Sequence, residues 1–371
     1  MHRARRIIER LLALAGVHTN GNRPWDIQVH DERLFPRILR EGNLGMGEAY
    51  MDGWWDCERI DEMICRVLKA QLDKRLRNNW RLVLSALPDL LFNLQTRNGA
   101  RHVARRHYDL GNDLFGTFLD RHNLYSCAYF KDCDDLDQAQ QAKMELIAAK
   151  LSLAPGLRVL DIGCGWGGLA RYLASEHGTE VTAVNISREQ VAFASQACQG
   201  LPVSVQLKDY RDVDGSFDRI VSVGMFEHVG IKNYRTFMET CHQRLKDGGS
   251  FLLHTIGGNE SMRSCDPWIR RYIFPRGMLP SIKQIAGAAE GLFVVEDWHN
   301  LGTHYDKTLM AWHRRFSNGW ENLKERYTED FRRMWEYYLL SCAGAFRARD
   351  IQLWQIVFTK PGTPQPPCRQ G

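Results

Sequence analysis

The sequence predicts an α/β protein with a doubly wound, mostly parallel sheet and a small, mainly helical N-terminal domain. Three observations support this prediction. Apolar runs alternate with helical patterns between residues 159 and 358, which is the order of parallel strands joined by helices. A glycine-rich turn at 161–168 follows the first apolar run, where a sharp bend needs glycine. The chain has 371 residues, more than one domain usually contains, so we expect two domains.

The N-terminal domain is predicted over residues 1–95 and begins with an amphipathic helix. Glu9 and Arg10 interrupt the apolar stretch that a secretory signal would require. A glycine-rich stretch at 42–53 predicts turns. The apolar residues that we expect on one face of the first helix are Ile7, Ile8, Leu11, Leu12 and Ala15.

A basic segment extends from Arg66 to Arg106. It contains ten basic and two acidic residues, a net charge of +8, whereas the whole chain carries +5. Basic residues interleaved with apolar ones suit an anionic lipid surface, where each adds about 1 kcal/mol of binding free energy. A charged helix that packs through its apolar side has the same pattern, so both interpretations stay open. The polar stretch 95–99 is the predicted linker.

Composition excludes several classes of protein. Every apolar run is shorter than the roughly 18 residues that span a bilayer, and the basic segment lacks a recognised nucleic-acid motif. The ten cysteines are scattered without a Cys-x-x-Cys pair, which indicates reduced thiols in a cytoplasm and no metal site. We therefore expect a cytoplasmic protein without nucleic-acid partners.

The catalytic domain is predicted over residues 100–360. A helix is expected at 138–151, and an insertion at 257–280 follows the fifth predicted strand. The tail 361–371 is rich in Pro and Gln and is predicted to be disordered. In doubly wound sheets, ligands bind at the carboxyl ends of the strands. The predicted strands are 159–162, 181–184, 203–207, 219–223, 250–254, 293–297 and 353–358.

Polar residues at three successive strand ends indicate the cofactor. The glycine turn closes the first strand, Asn185 ends the second, and Asp209 with Tyr210 follows the third. A dinucleotide site usually has an acidic residue where Asn185 stands, so NAD is not favoured, although a glycine turn without a ligand stays open. The amides of Asn185 and Gln190 can pair with ribose hydroxyls, and a carboxylate beside a ring suits adenine. This order resembles a class I S-adenosylmethionine (SAM) methyltransferase with a Rossmann-like fold.

A closer resemblance extends over nearly the whole chain. It rests on EGNLGMGEAYMDGWW at 41–55, HYDLGNDLF at 107–115, YSCAY at 125–129, GMFEHVG at 224–230, HTIG at 254–257, YIFP at 272–275 and AGAFR at 343–347. These segments resemble the cyclopropane-fatty-acyl-phospholipid synthase family. The resemblance implies SAM as cofactor, bound by Tyr125, Ser126, Asp161, Gly163, Gly165, Gly168, Asn185, Gln190, Asp209 and Tyr210.

The resemblance also implies the reaction, which is methyl transfer from SAM to a cis double bond of an unsaturated phospholipid. It further implies a homodimer, bound peripherally to the inner face of the membrane. An alkene is a weak nucleophile, so the site must align it with the methyl group in a dry cavity. Attack leaves a carbocation, which aromatic rings stabilise by about 0.5–2 kcal/mol each. The candidate rings are Tyr125, Tyr129, Phe274 and Tyr305.

Ring closure requires a base for a proton of the transferred methyl group. The resemblance implies bound bicarbonate, held by residues that match Cys127, Glu227, His254, Ile256 and Tyr305. A carboxylate beside an anion needs a raised pKa or an electrostatic role, so Glu227 is the unusual member. Cys342 also matches a cysteine that is often treated as an active-site residue. Since SAM is already activated, we expect Cys342 to line the pocket rather than to act as a nucleophile.

Three other interpretations stay open. A related lipid C-methyltransferase would give a methyl- or methylene-branched chain through the same cation. A small-molecule N- or O-methyltransferase is disfavoured by the basic N-terminal unit and the long insertion. An inactive lipid-binding module is disfavoured because the glycine turn, Glu227 and His254 are all present. The sequence does not fix the acyl chain length or the headgroup.

Overall fold

The computed structural model describes residues 2–72, 111–262 and 264–369. Most of the basic segment, the predicted linker at 95–99 and the first residues of the 107–115 motif lie outside the described residues. The predictions made for them stay predictions.

The chain forms two compact units, which we call the N-terminal unit and the catalytic unit. The N-terminal unit consists of Met1–Phe92, Arg263–Pro275 and Tyr305–Ile351. The catalytic unit consists of Asn93–Met262, Arg276–His304 and Gln352–Gly371. The sequence predicted a single division between residues 95 and 100. It did not place the two later segments with the N-terminal unit, because that association depends on packing between residues far apart in sequence.

Seven strands form the sheet of the catalytic unit. The strands are β1 (Arg158–Ile162), β2 (Glu180–Asn185), β3 (Val203–Leu207), β4 (Phe217–Val223), β5 (Leu245–Gly258), β6 (Val294–Asn300) and β7 (Ile351–Thr359). Their order is β3-β2-β1-β4-β5-β7-β6. The pairs β1–β2, β1–β4, β2–β3 and β4–β5 are parallel, and β6–β7 is antiparallel. The predicted doubly wound, mostly parallel sheet is therefore confirmed.

Several helices begin at a residue whose side chain caps the first turn. Asp135 accepts from the backbone N–H of Gln138, and Ser187 caps the helix that contains Gln190. In chain order the α-helices of the described residues are α1 (His2–Leu14), α2 (Leu34–Glu41), α3 (Asn43–Met51), α4 (Ile60–Lys69), α5 (Asn112–Phe118), α6 (Leu136–Lys150), α7 (Gly168–His177), α8 (Arg188–Ala197), α9 (Tyr234–Arg244), α10 (Pro267–Tyr272), α11 (Ile282–Ala289), α12 (Gly302–Gly319) and α13 (Glu329–Arg347).

Apolar side chains from the strands form the core of the catalytic unit. One buried cluster includes Leu160, Phe251 and Ile356, and another includes Val159, Leu252 and Val357. Alternate residues of a strand point to opposite faces of its sheet, so the two clusters occupy the two faces. Cys368, within the predicted disordered tail, is also buried in the second cluster, a contact that a disordered tail would not make.

The N-terminal unit is mainly helical, as predicted. Its helix α1 buries Ile8 and Leu12, and Ala15 just beyond it is buried as well. Ile7, predicted on the same face, is 39% exposed, because consecutive helical residues point about 100° apart. Measured over the part of the chain that the structure describes, every helix is too short or too polar to span a bilayer.

Candidate active site

The glycine turn after β1 forms one wall of a cavity. Gly165 has a positive φ of 54°, and no described atom would lie within 4 Å of a Cβ placed there. A side chain at this position would therefore extend into open space. At Gly168 a Cβ would lie 2.0 Å from the carbonyl oxygen of His122. Gly165 thus leaves room for a ligand, whereas Gly168 permits close packing of the backbone.

Nine of the ten residues predicted to bind the cofactor line this one cavity of about 160 Å³, which lies within the catalytic unit. Gly168 is the exception, since it is not part of the lining. The cavity lies at the carboxyl ends of the parallel strands, where this kind of sheet binds ligands. The lining residues from the predicted set are Tyr125, Ser126, Asp161, Gly163, Gly165, Asn185, Gln190, Asp209 and Tyr210.

Asn185 mainly positions its neighbours. Its side-chain N–H donates to Gln190 Oε1 at 2.9 Å and to the carbonyl of Gly165 at 3.3 Å, and its Oδ1 accepts from two backbone N–H groups. The polar atoms of Asn185 are thus used locally, while Gln190 also lines the cavity and accepts only at its Oε1. Gln190 is the better candidate of the two for a hydrogen bond to ribose.

Asp209 forms a bidentate ion pair with Arg211, with distances of 2.8 and 2.7 Å from the guanidinium nitrogens to the carboxylate oxygens. It also accepts from the backbone N–H of Arg211. Sequence analysis predicted this carboxylate as an acceptor for adenine but not its cationic partner. Tyr210 packs edge-on against Phe237 at 5.2 Å between ring centroids, and burial raises its pKa.

A buried lysine contributes to the same cavity. Lys143 of α6 is 1% exposed, and its Nζ donates to Ser126 Oγ at 2.9 Å. Burial lowers the pKa of Lys143 to about 8. Burial likewise raises the pKa of Asp161 to about 7, although the charge of Lys143 opposes the shift. Asp161 Oδ2 is buried and accepts no hydrogen bond from the described residues.

Sequence analysis missed Lys143. A signal was present, since Lys143, Ile147 and Lys150 have the i, i+4, i+7 spacing of one helical face. Lysine in phase with apolar residues is unusual, because a buried ammonium group needs a partner.

A second group of buried polar atoms follows β4 and continues along β5. Glu227 lies in the short 3₁₀ turn Phe226–His228, and its Oε1 accepts from the backbone N–H of Ile256 at 2.7 Å. Burial raises the pKa of Glu227 to about 7, although the hydrogen bond from Ile256 opposes the shift. Within the described parts of the chain, Glu227 Oε2 has no hydrogen-bond partner. The sequence predicted either a raised pKa or an electrostatic role for Glu227, and the raised pKa agrees with the first alternative.

His254 is buried and only 1% exposed. Burial, reinforced by the charges of Lys143 and Lys150, lowers its pKa well below the usual value. Its Nδ1 lies 3.3 Å from the side-chain nitrogen of Gln355, a second residue that sequence analysis missed. Cys127 is fully buried, and its thiol donates to the carbonyl of Ala128.

Tyr305 and Cys342 belong to the N-terminal unit. The Tyr305 ring stacks on Phe346 at 4.6 Å between centroids. Burial raises the pKa of the Cys342 thiol, which disfavours the thiolate that a nucleophile would need. Phe274 packs edge-on against Tyr338. The rings of Tyr129 and His304 lie 4.9 Å apart between their centroids.

Comparison with known proteins gives consistent results. A family model described as mycolic acid cyclopropane synthetase matches residues 95–356. A cyclopropane-fatty-acyl-phospholipid synthase of Escherichia coli K12 is 54% identical over 96% of this chain and 93% of its own length. A tuberculostearic acid methyltransferase of Mycobacterium tuberculosis is 34% identical over 90% of this chain and 82% of its own length.

Two solved structures each match about seven tenths of this chain. The cyclopropane synthase MmaA2 of Mycobacterium tuberculosis has a TM-score of 0.67 and 30% identity over 72% of this chain and 100% of its own. The mycolic acid cyclopropane synthase CmaA1 in complex with S-adenosylhomocysteine (SAH) and CTAB has a TM-score of 0.65 and 34% identity, over 70% of this chain and 98% of its own.

Proposed function

We propose that this chain, which belongs to the mycolic acid cyclopropane synthetase family, converts the cis double bond of an unsaturated phospholipid acyl chain into a cyclopropane ring. The protein is a SAM-dependent methyltransferase. The observation that carries the proposal is 54% identity over 96% of the chain to a cyclopropane-fatty-acyl-phospholipid synthase. The chemistry of the residues that line the cavity is compatible with that activity.

The cavity residues fit the charged end of SAM. Asp161 has a buried oxygen without a partner among the described residues, which suits an ammonium group. Ser126 and Lys143 are donors on the same lining, which suits a carboxylate. SAM, when bound, supplies an electrophilic methyl group on a sulfonium. Gln190 and Tyr210 are our proposed contacts for the ribose and the adenine.

The polar atoms of Glu227 and His254 fit a small anion. Burial lowers the pKa of His254 and raises that of Glu227 to about 7, so the neutral imidazole and the protonated form of the carboxyl group can each donate a hydrogen bond to an anion. Bicarbonate, when bound, supplies the base that removes a proton from the added methyl group. We propose that Cys127 and Ile256, which belong to the same unit, complete this anion site, an assignment that rests on the family resemblance.

The helix α1 supports docking on an anionic lipid surface. Its outer side has Arg3, Arg6 and Arg10, all exposed and without an ion pair to any described residue, whereas Arg5 pairs with Glu9 and Glu32. Ile7 and Leu14 on the same side are 39% and 58% exposed. Unpaired arginines beside exposed apolar residues are typical of helices that lie at the membrane interface. We propose that residues 1–95 act as the lipid-surface part of a homodimer on the cytoplasmic side of the membrane.

Product NMR tests the reaction. The protein is incubated with methyl-labelled SAM and vesicles of unsaturated phospholipid, and the released fatty acid is analysed. Upfield ring-methylene protons are the expected result. Vinyl signals or a methyl branch without ring-methylene signals would mean that the protein is a branching C-methyltransferase. Transfer of the label to a small amine rather than to the phospholipid would contradict a lipid substrate.

Vesicle sedimentation tests the surface. Reversal of Arg3, Arg6 and Arg10 to Glu is expected to reduce binding to anionic vesicles and to leave activity on detergent-dispersed lipid unchanged. The matched control reverses Arg188, Lys232 and Lys283, which are exposed residues of the catalytic unit. Equal losses of vesicle binding in both triple variants would show that binding depends only on the net charge of the protein. Sedimentation velocity in solution tests the homodimer.

A further inference from the structure

Gln355 and His254 form an isolated polar pair inside the catalytic unit. Gln355 lies on β7 and His254 lies on the neighbouring strand β5. The two side chains are 0% and 1% exposed, and Gln355 Nε2 lies 3.3 Å from His254 Nδ1. Two further buried atoms, Gln355 Oε1 and His254 Nε2, have no hydrogen-bond partner among the described residues.

Burial and nearby charges constrain the protonation state of His254 independently of its hydrogen-bond partner. Burial disfavours the imidazolium, and the charges of Lys143 and Lys150 disfavour it further. The ring is therefore neutral and carries a single proton, on Nδ1 or on Nε2. In a neutral imidazole, the partner of one nitrogen selects which nitrogen is protonated.

The amide of Gln355 can select either tautomer, because it has both donors and an acceptor. With its NH₂ toward Nδ1, one N–H is paired, and one N–H and one carbonyl oxygen remain without a partner. With the amide reversed, the carbonyl is paired but both N–H groups remain unpaired in the core. The first arrangement satisfies one of the two amide donors, and a buried donor without an acceptor is costly.

We propose that Gln355 is a positioning residue whose amide donates to Nδ1 of His254 and keeps the imidazole proton on Nε2. Nε2–H is then a donor for the small anion, and this last step rests on the proposed function. The opposite tautomer would present a lone pair to the anion and repel it. Gln355 thus acts on the anion only through His254.

The tautomer can be measured directly in the unaltered protein. The sequence contains 13 histidines, so the spectrum of histidine-labelled protein is assigned by the loss of one ring's signals in His254→Gln. We expect the ¹⁵N and ¹³Cδ2 shifts of His254 to report a proton on Nε2. A proton on Nδ1 in the unaltered protein would overturn the proposal without any variant of Gln355.

Variants of Gln355 test the cause. Gln355→Glu provides only acceptors when its carboxyl group is ionised, so at alkaline pH it is expected to move the proton to Nδ1, whereas Gln355→Met removes the hydrogen bond and is expected to give a mixture. Gln352 is the matched control, since it lies on the same strand, is 5% exposed and bonds to Asn259 and Asn300. Gln352→Met should leave the His254 shifts unchanged. An unaltered Nε2–H state in Gln355→Met and Gln355→Glu would show that another group selects the tautomer.

The bicarbonate dependence of turnover provides the second measurement. In Gln355→Met we expect the half-saturating bicarbonate concentration to rise roughly tenfold, with the affinity for SAH in calorimetry unchanged. A purely structural role would change thermal stability and SAH binding together. If turnover of the unaltered protein is indifferent to bicarbonate, the proposed anion site fails while the tautomer assignment is still decided by NMR.

Discussion

Buried carboxyl groups in the two units are partnered in opposite ways. In the N-terminal unit, Arg347 pairs with Asp306 and Asp61, and Arg59 also pairs with Asp61. Burial would raise the pKa of Asp61, but the hydrogen bonds from Arg59 and Arg347 outweigh it and lower the pKa. In the catalytic unit, Asp161 and Glu227 each have an oxygen without a partner among the described residues. Burial there raises both pKa values to about 7.

The difference separates stability from function. A fully paired buried charge contributes to one folded arrangement, and removal of either partner is costly. A buried polar atom without a partner costs free energy in the folded protein. Perturbed carboxyl groups of this second kind are concentrated at active sites. We therefore expect substitutions in the Arg347 group to lower stability and substitutions near the cavity to lower activity.

The largest effect is expected from Arg347→Met. This change leaves the buried carboxyl of Asp61 with Arg59 alone and removes the partner of Asp306. We expect a loss of about 3 kcal/mol in the free energy of unfolding, measured by urea denaturation. Asp161→Asn is the comparison, and its expected loss is below about 1 kcal/mol. Equal losses would remove the distinction between the two groups.

Glu227→Gln is expected to act on turnover rather than stability. The amide has the size of the carboxyl group but cannot titrate, so the proton-transfer stage should slow roughly 100-fold. SAH affinity, measured by calorimetry, should not change. The matched control is Glu290→Gln, at an exposed site. This control variant should keep the activity of the unaltered protein. A Glu227→Gln variant that retains full turnover would exclude a role for this carboxyl in proton transfer.

The sequence predicted local features well and long-range ones incompletely. All seven strands of the sheet lie where alternation of apolar runs placed them, because periodicity is a property of neighbouring residues. The cavity residues could be predicted for the same reason, because they follow directly after the ends of these strands. Gln355 was missed because its partner His254 is 101 residues away in sequence. Lys143 was missed because the pattern of a helix does not show which polar residue its apolar face buries.

The pH dependence of stability should also differ between the two groups. Asp161 has a folded pKa of about 7, above its usual 3.8, so the folded protein binds the extra proton and loses this stability as pH rises from about 4 to 7. Asp61 has a lowered pKa, so its contribution is present at neutral pH and is lost as pH falls below 3.8 toward its folded value. The unfolding free energy of Asp161→Asn relative to the unaltered ligand-free protein should therefore increase between pH 4 and 7 and then stay level. A difference that is constant with pH would mean that Asp161 is ionised throughout.

The smallest effect is expected from Cys342→Ser. Cys342 lies on α13 of the N-terminal unit, and burial raises the pKa of its thiol, so the thiolate is scarce at neutral pH. Methyl transfer from a sulfonium requires no covalent bond to the enzyme, so a hydroxyl of similar size should support turnover within about threefold, with part of the loss caused by burial of a more polar group. The initial rate on vesicles and the unfolding midpoint are measured together, and Cys265→Ser provides a control at another thiol, whose pKa desolvation raises to about 12. Complete inactivity of Cys342→Ser with an unchanged midpoint and unchanged SAH affinity would instead assign this cysteine a direct role in the chemistry.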